Sequence, residues 1–292
     1  APVVWSGPLS RPTQVHQPSP PSSSPALGPG HLMSLAPDDP RVLEELRRHG
    51  FVALCLDSAQ AATLEAAQAA CARFFAVTES SAKLRCSHRG PPRHADLPAL
   101  ALHGLGYVHT PEYGGREQFH LIRGASHLCA WPDEAFRDAF ERGADVLQQV
   151  CLSVLERVDS AAAEDWRGQV RERGDPSVCD AFLYPAGAAS AEAAGMAMDS
   201  HFDPGWFTVK RGSLDSGLEV WDRSCDAWVG AEDASFYRGP SGAGEPERAL
   251  VLFAGERLAS WTEGAVPAVS HRVRSRAADR LSFIFELRDH EC

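Results

Sequence analysis

The sequence is short of positive charge, of closely spaced cysteine pairs and of long apolar runs. Its 28 lysines and arginines stand against 39 aspartates and glutamates, a formal net charge of −11. A chain this acidic is poorly suited to a nucleic-acid backbone or an anionic membrane as its main partner. No apolar run approaches the ~20 residues of a membrane span. None of the eight cysteines (55, 71, 86, 129, 151, 179, 225 and 292) forms a CxxC pair, which argues against a structural zinc site. Several lie in apolar contexts where a free thiol behaves as a small hydrophobe, so a reducing intracellular compartment, cytoplasmic or other, is expected.

Acidic residues are also missing before Asp38, where "QPSPPSSSPALGPG" is rich in proline, serine and glycine. Residues 1–37 are read as a disordered leader, because such a composition buries too little apolar surface to offset its ordering entropy. The leader has no apolar core of a signal peptide. Arg11 alone gives it basic charge, which leaves organelle targeting open.

What is present is ordinary for a soluble globular protein. The 292 residues are 44% apolar and 23% charged, enough for a sizeable core. Residues 38–175 read as a mainly helical region packing on that core. In "PRVLEELRRHGF" Val42, Leu43 and Leu46 share a face, and in "SAQAATLEAAQAACARFFAV" so do Leu64, Ala67, Cys71 and Phe74. "FERGADVLQQVCLSVLERV" repeats the signal. Between them, residues 87–131 are irregular, with turn glycines suggesting short strands and loops.

After Pro176 the period changes. "VCDAFLYP", "GMAMDSHF", "GWFTVKR", "GLEVWD", "DAWVG", "RALVLFAG", "RLASWT", "AVSHRV" and "RLSFIFEL" are short runs bounded by turn residues. Many short strands at close spacing predict a sandwich or barrel over 176–292. Residues 231–247 interrupt them as a long loop. The class expected is α+β, a jelly-roll core with flanking N-terminal helices.

Two His-x-Asp triplets occur. His94-Ala-Asp96 lies in the proline-rich "GPPRHADLP", with no strand around it, and reads as a solvated loop. His201-Phe-Asp203 sits where a predicted strand meets a turn, and i, i+2 spacing brings both side chains to one face. His271, on another predicted strand, is a candidate third ligand. Two imidazoles and a carboxylate would leave about three positions open on an iron ion, the pattern of non-heme Fe(II) sites. Nine residues further, Arg280 and Ser282 are again i, i+2; a guanidinium fork and a hydroxyl can hold a carboxylate such as the distal one of 2-oxoglutarate.

With "FLYP", "HFDPGWFTV", "GLEVWD", "WVG", "FAGERLASWTEG", "SHRV" and "RLSFIFEL" in this order, the chain resembles the isopenicillin-N-synthase-like branch of the Fe(II)/2-oxoglutarate-dependent dioxygenases. Upstream, "LRRHGFVAL", "FFAVTESSAKLR" and "GYVHTPEYGGREQF" are weaker matches, so the resemblance spans roughly residues 38–290. It implies a double-stranded β-helix, iron on His201, Asp203 and His271, and 2-oxoglutarate on Arg280, Ser282 and the Tyr184 hydroxyl. It also implies O₂ as oxidant, ascorbate as a reductant, and release of succinate and CO₂ with hydroxylation of a small organic substrate. Two departures stand out. Phe182 occupies a position where many members have asparagine, and Glu256 replaces an aspartate.

Two rivals stay open: an Fe(II) oxidase of the same fold that does not use 2-oxoglutarate, and a non-catalytic jelly-roll binding protein. A zinc hydrolase lacks an evident general base near the triad. Substrate contacts are expected among Tyr107, Tyr113, Arg116, His120, Trp206, Phe207 and Trp261, although for the aromatics a place in the barrel core is as good a reading. The 231–247 loop is a candidate cover for the site. Oligomeric state is not legible.

Overall fold

The computed structural model describes residues 35–97, 100–102, 104–111, 114–187, 196–211, 217–231 and 249–292. Tyr113 and nearly all of the 231–247 loop lie outside the described residues, as does the leader up to residue 34. Leu35, assigned to the leader by composition, is buried and bridges to Leu54 through backbone hydrogen bonds with Ala53 and Cys55.

Three of the helices start at an aspartate whose side chain caps them. Helix α1 (Arg41–His49) leads into strand β1 (Phe51–Cys55). Helix α2 (Ser58–Phe75) opens on a capping box in which Asp57 accepts from the Gln60 N–H and Gln60 bonds back to Asp57. A short α3 (Ser80–Leu84) precedes the hairpin of β2 (Gly106–Thr110) and β3 (Arg116–Ile122). Helix α4 (Glu134–Val158) is capped by Asp133, and α5 (Ser160–Arg173) by Asp159. No helix among the described residues is long and apolar enough to cross a membrane.

Strands then dominate: β4 (Val178–Tyr184), β5 (Met196–His201), β6 (Phe207–Arg211), β7 (Leu218–Asp222), β8 (Ala227–Gly230) and β9 (Ala249–Ala254). Helix α6 (Glu256–Trp261) separates them from β10 (His271–Arg274) and β11 (Arg280–Leu287). The run "RLASWT", expected to be a strand, lies largely in α6. Six residues with Leu258 alone fully buried show neither period, and the local choice falls to its start, where the Glu256 N–H bonds the Asp203 carbonyl.

The strands pair antiparallel in two sheets. The larger runs β1-β9-β6-β11-β4-β3-β2 and the smaller β5-β10-β7-β8. The fold is therefore α+β, and the chain before residue 176 supplies three strands of the larger sheet as well as helices.

Both faces of the larger sheet are covered. On one face, Phe119, Val209, Leu252, Phe283 and Phe285 join Phe74, Phe136, Phe140 and Leu147 of α2 and α4 in the main core. Gly143 lets these layers close: a Cβ there would lie 2.7 Å from Ala67 of α2 and 3.1 Å from the Phe283 ring. The opposite face looks across to the smaller sheet through a second cluster with Phe51, Phe182, Tyr184, Val220, Val251, Phe253 and Val273. The metal-ligand candidates lie at this second layer.

Candidate metal centre

Strand register brings the candidate ligands together. His271 on β10 pairs directly with His201 on β5, and their ring centroids are 4.2 Å apart. Asp203 follows two residues after His201 in the turn before β6. Its carboxylate oxygens lie 3.5 Å from His201 Nε2 and 3.7 Å from His271 Nε2. One ligand atom from each of the three lies within 4.8 Å of the others, and no other such group of histidine, cysteine or acidic side chains converges among the described residues.

The surroundings fix which atoms point inward. His201 Nδ1 sits 2.8 Å from the Asp199 carbonyl and His271 Nδ1 3.4 Å from the Val269 carbonyl. Each Nδ1–H therefore donates to backbone, leaving both Nε2 lone pairs for a metal. Thr208 Oγ1 donates to Asp203 Oδ2 at 2.5 Å, holding the carboxylate. Burial lowers the His271 pKa to about 4, against the opposing pull of Asp203. The imidazole is thus neutral at ordinary pH, the form that ligates.

The Asp203 turn is clamped from behind. Its carbonyl accepts from the Glu256 N–H at 2.8 Å, and Gly205 N–H donates to Glu286 Oε1 at 2.9 Å. Gly255 is required here, because a Cβ would come within 2.1 Å of the Gly205 carbonyl oxygen. The donor set suits the group the sequence implied: two nitrogens that can ligate as neutral imidazoles and one carboxylate.

The anion-binding candidates share a neighbouring stretch of the same inter-sheet layer. Arg280 pairs in register with Tyr184, and Ser282 with Phe182. Arg280 and Ser282 are both buried, at 3% and 2% exposure. The guanidinium sits 5.3 Å from the Tyr184 ring centroid. Burial lowers the Arg280 pKa and raises that of Tyr184.

Of the substrate-contact candidates, the fold keeps two on this layer. Arg116 lies over the Phe182 ring at 5.1 Å. His120 Nδ1 is 2.6 Å from Asp180 Oδ1. The other described candidates belong to the helix-side core instead. Tyr107 packs on Phe74 and donates its hydroxyl to Glu117 at 2.7 Å. Trp206 and Phe207 are fully buried there, and Trp261 stacks near Trp206 while its indole N–H donates to Asp159 at 2.9 Å. The physical reason is parity: Phe207 and Thr208 are adjacent on β6, so if Thr208 reaches Asp203, Phe207 must face the helices.

Residues that the sequence reading missed include Thr208, Asp180, Glu286 and Lys210, all buried polar side chains within strands. A polar residue at the inward parity of an otherwise apolar strand was the available signal. His94 and Asp96 stay in their loop, with the Asp96 side chain 88% exposed. All eight cysteine thiols are free. A cavity of about 450 Å³ at β2, lined by Ser87, His88, Tyr107 and His109 among others, shares no residue with the triad.

No protein-family profile matches the sequence, and no curated protein is detectably similar to it. Solved structures are similar in fold. The chain overlays a full-length Neurospora crassa protein, solved in complex with 2-oxoglutarate and 5-formyluracil, with a TM-score of 0.64 at 18% identity, over 86% of this chain and 77% of that one. The auxin-oxidation dioxygenase 1 of Arabidopsis thaliana, bound to 2-oxoglutarate, gives 0.65 at 14% identity over 89% and 93%. A 2-oxoglutarate–Fe(II) oxygenase family protein from Caulobacter crescentus gives 0.62 at 22% over 85% and 80%. The chain therefore has the fold of the 2-oxoglutarate–Fe(II) oxygenases.

Proposed function

We propose that the protein is a non-heme Fe(II)- and 2-oxoglutarate-dependent dioxygenase that hydroxylates a small organic substrate, with release of succinate and CO₂. The observation that carries this reading is the convergence of His201, Asp203 and His271 on an inter-sheet layer that also holds the buried Arg280. The fold, read at its finest, is a double-stranded β-helix with its catalytic core in residues 176–292, supported by the helices and strands of 38–175. The overlaid Neurospora crassa and auxin-oxidation structures, which hold 2-oxoglutarate, support the cosubstrate. Complexes of the Neurospora crassa protein with thymine and 5-formyluracil support a substrate of small-molecule size.

His201, Asp203 and His271 hold the iron; Arg280, Ser282 and Tyr184 hold the distal carboxylate of 2-oxoglutarate. Bound iron supplies O₂ activation coupled to oxidative decarboxylation of the 2-oxo acid, with ascorbate as an external reductant. The chain's own part is orientation and exclusion of water. The backbone carbonyls of Asp199 and Val269 keep both imidazoles in one tautomer, and Thr208 keeps Asp203 from rotating. Phe253, stacked on His271 at 4.6 Å, and Val251 make the wall behind them apolar, which strengthens the pull of Arg280 on a carboxylate. Arg116 and His120, on the same face of β3, are the substrate contacts that parity supports.

The test is an anaerobic titration of metal-free protein with Fe(II) and then 2-oxoglutarate, followed by the visible charge-transfer band of the chelate. A saturable band is expected. Iron binding without a band points to the oxidase that does not use 2-oxoglutarate, and absence of iron binding overturns the enzyme reading altogether.

A further inference from the structure

The inner face of the seven-stranded sheet carries a polar pair that the metal centre does not use. His120 on β3 and Asp180 on β4 are paired in register. Their chain neighbours Phe119, Leu121, Cys179 and Ala181 all pack in the helix-side core, so both side chains face the smaller sheet. Asp180 is 6% exposed. Its Oδ1 lies 2.6 Å from His120 Nδ1 and accepts from Gln118 Nε2 at 2.8 Å. Burial alone would raise the Asp180 pKa, but the His120 ring and the two hydrogen bonds outweigh it and lower the pKa, so the group is a carboxylate. A carboxylate only accepts. His120 Nδ1 therefore carries the hydrogen, and in the neutral ring Nε2 holds the lone pair. No hydrogen bond to Nε2 is made by the described residues, and the side chain is 15% exposed.

The face beside this pair is open at its middle. Along one row of the sheet, His120 neighbours Asp180, Asp180 neighbours Ile284 on β11, and Ile284 neighbours Lys210 on β6. Strand β11 is the fourth of seven, yet Ile284 is only partly buried. Met198, on β5 of the opposite sheet, is partly buried against the same cluster. A side chain at the centre of one sheet and facing another stays partly exposed only where the two leave a gap. The gap is apolar at Ile284 and Met198. Its metal end is marked by Thr208, which lies two residues from Lys210 on β6 and bonds Asp203. Strands β6 and β3 are three spacings apart, about 14 Å. A molecule that reaches from the metal towards His120 therefore needs an apolar body of one or two rings before its polar group.

The carboxylate behind the ring decides what Nε2 prefers. It strengthens the lone pair as an acceptor, as a carboxylate does for a metal-ligating histidine. An anion at the same place would meet the negative charge of Asp180 across the ring, whereas a neutral donor is drawn by it. Resting on the function proposed above, we propose that the substrate has an apolar body and a terminal N–H or O–H that donates to His120 Nε2. Asp180 is then a positioning residue that fixes the tautomer of the ring.

The test uses the full chain loaded with Mn(II) and 2-oxoglutarate, so that binding is read without turnover. The probes share one ring system: 2-naphthol offers an O–H, 2-methoxynaphthalene has none, and 2-naphthoate is an anion. Calorimetry should rank 2-naphthol first, by roughly two- to ten-fold over the ether, the range for a neutral hydrogen bond. His120→Phe should bring 2-naphthol down to the affinity of the ether. Asp180→Asn, whose amide can donate to Nδ1 and switch the tautomer, should lower the naphthol-to-ether ratio as well. A merely structural loss would weaken both probes alike and leave that ratio unmoved. Mn(II) uptake at wild-type stoichiometry shows that a variant has folded, and the wild-type ranking is a test without either variant. Equal binding of naphthol and ether, tighter binding of the naphthoate, or no binding of the naphthol sinks the inference, as does an unchanged ratio in His120→Phe. The Fe(II)–2-oxoglutarate band of wild type is read separately. If the band is present, only this inference falls; if it is absent, the function proposed above falls with it.

Discussion

The two faces of the seven-stranded sheet are made by the same strands and carry opposite chemistry. Toward the helices, β11 presents Phe283 and Phe285 to a core of phenylalanine and leucine. Toward the smaller sheet, the same strand presents Arg280, Ser282 and Glu286, all buried. Burying a large apolar side chain contributes about 1.5–3 kcal/mol. A buried charge contributes little or costs stability unless its partners are complete. Stability and chemistry are thus separated by one residue of strand parity, not by distance along the chain.

The largest effect should come from the polar face. Asp203→Ala removes the carboxylate between two imidazoles and should abolish iron binding and iron-dependent turnover. The melting temperature of the metal-free protein should hardly fall, since no core side chain is lost. Iron stoichiometry and a thermal melt check both halves, and retained iron would break the triad assignment.

The apolar face should behave in the reverse way. Phe283→Ala removes a ring packed between Phe140 and Gly143 and should cost about 3–5 kcal/mol of stability, read from denaturant midpoints. The molecules that remain folded should bind Fe(II) as wild type does. If iron affinity falls in proportion to stability, the two faces are energetically one unit and the comparison fails.

Much of this was legible in the sequence because it depends on short spacings. His201 and Asp203, Arg280 and Ser282 are i, i+2 pairs, and strand geometry alone puts each pair on one side. The long helices α2 and α4 were legible through their period. For Trp206, Phe207 and Trp261 the sequence leaves site and core equally open, since nearness to His201 or His271 does not tell which side of the sheet a ring takes; all three lie in the helix-side core. The two charged residues that end "FTVKR" carry no local sign of their burial, yet Lys210 and Arg211 are both buried, on opposite faces of β6. The pairing of β1 to β3 with strands far downstream carries no local signal at all, because register between distant segments is decided by packing.

A smaller effect sharpens the division within the polar face. Thr208 touches the ligand carboxylate and not the open side of the triad. Thr208→Val keeps its shape and removes the hydrogen bond. Metal affinity should drop by roughly 10–100-fold, as for other groups that orient a ligand. The affinity of the metal-saturated protein for 2-oxoglutarate should be nearly unchanged, and competition with a chelator followed by titration at saturating metal separates the two.

The smallest effect, none, is expected from the other His-x-Asp triplet. His94 and Asp96 have the same spacing as His201 and Asp203, and the His94 ring even lies 3.7 Å from the Asp96 carboxylate. What they lack is the sheet. No paired strand brings a third ligand to them among the described residues, and Asp96 is held by solvent rather than by a hydroxyl such as Thr208. His94→Ala should therefore leave iron stoichiometry and 2-oxoglutarate affinity at wild-type values. Any loss of iron in that variant would mean that the triplet itself, and not its place on paired strands, selects the metal, and the assignment of His271 as third ligand would go with it.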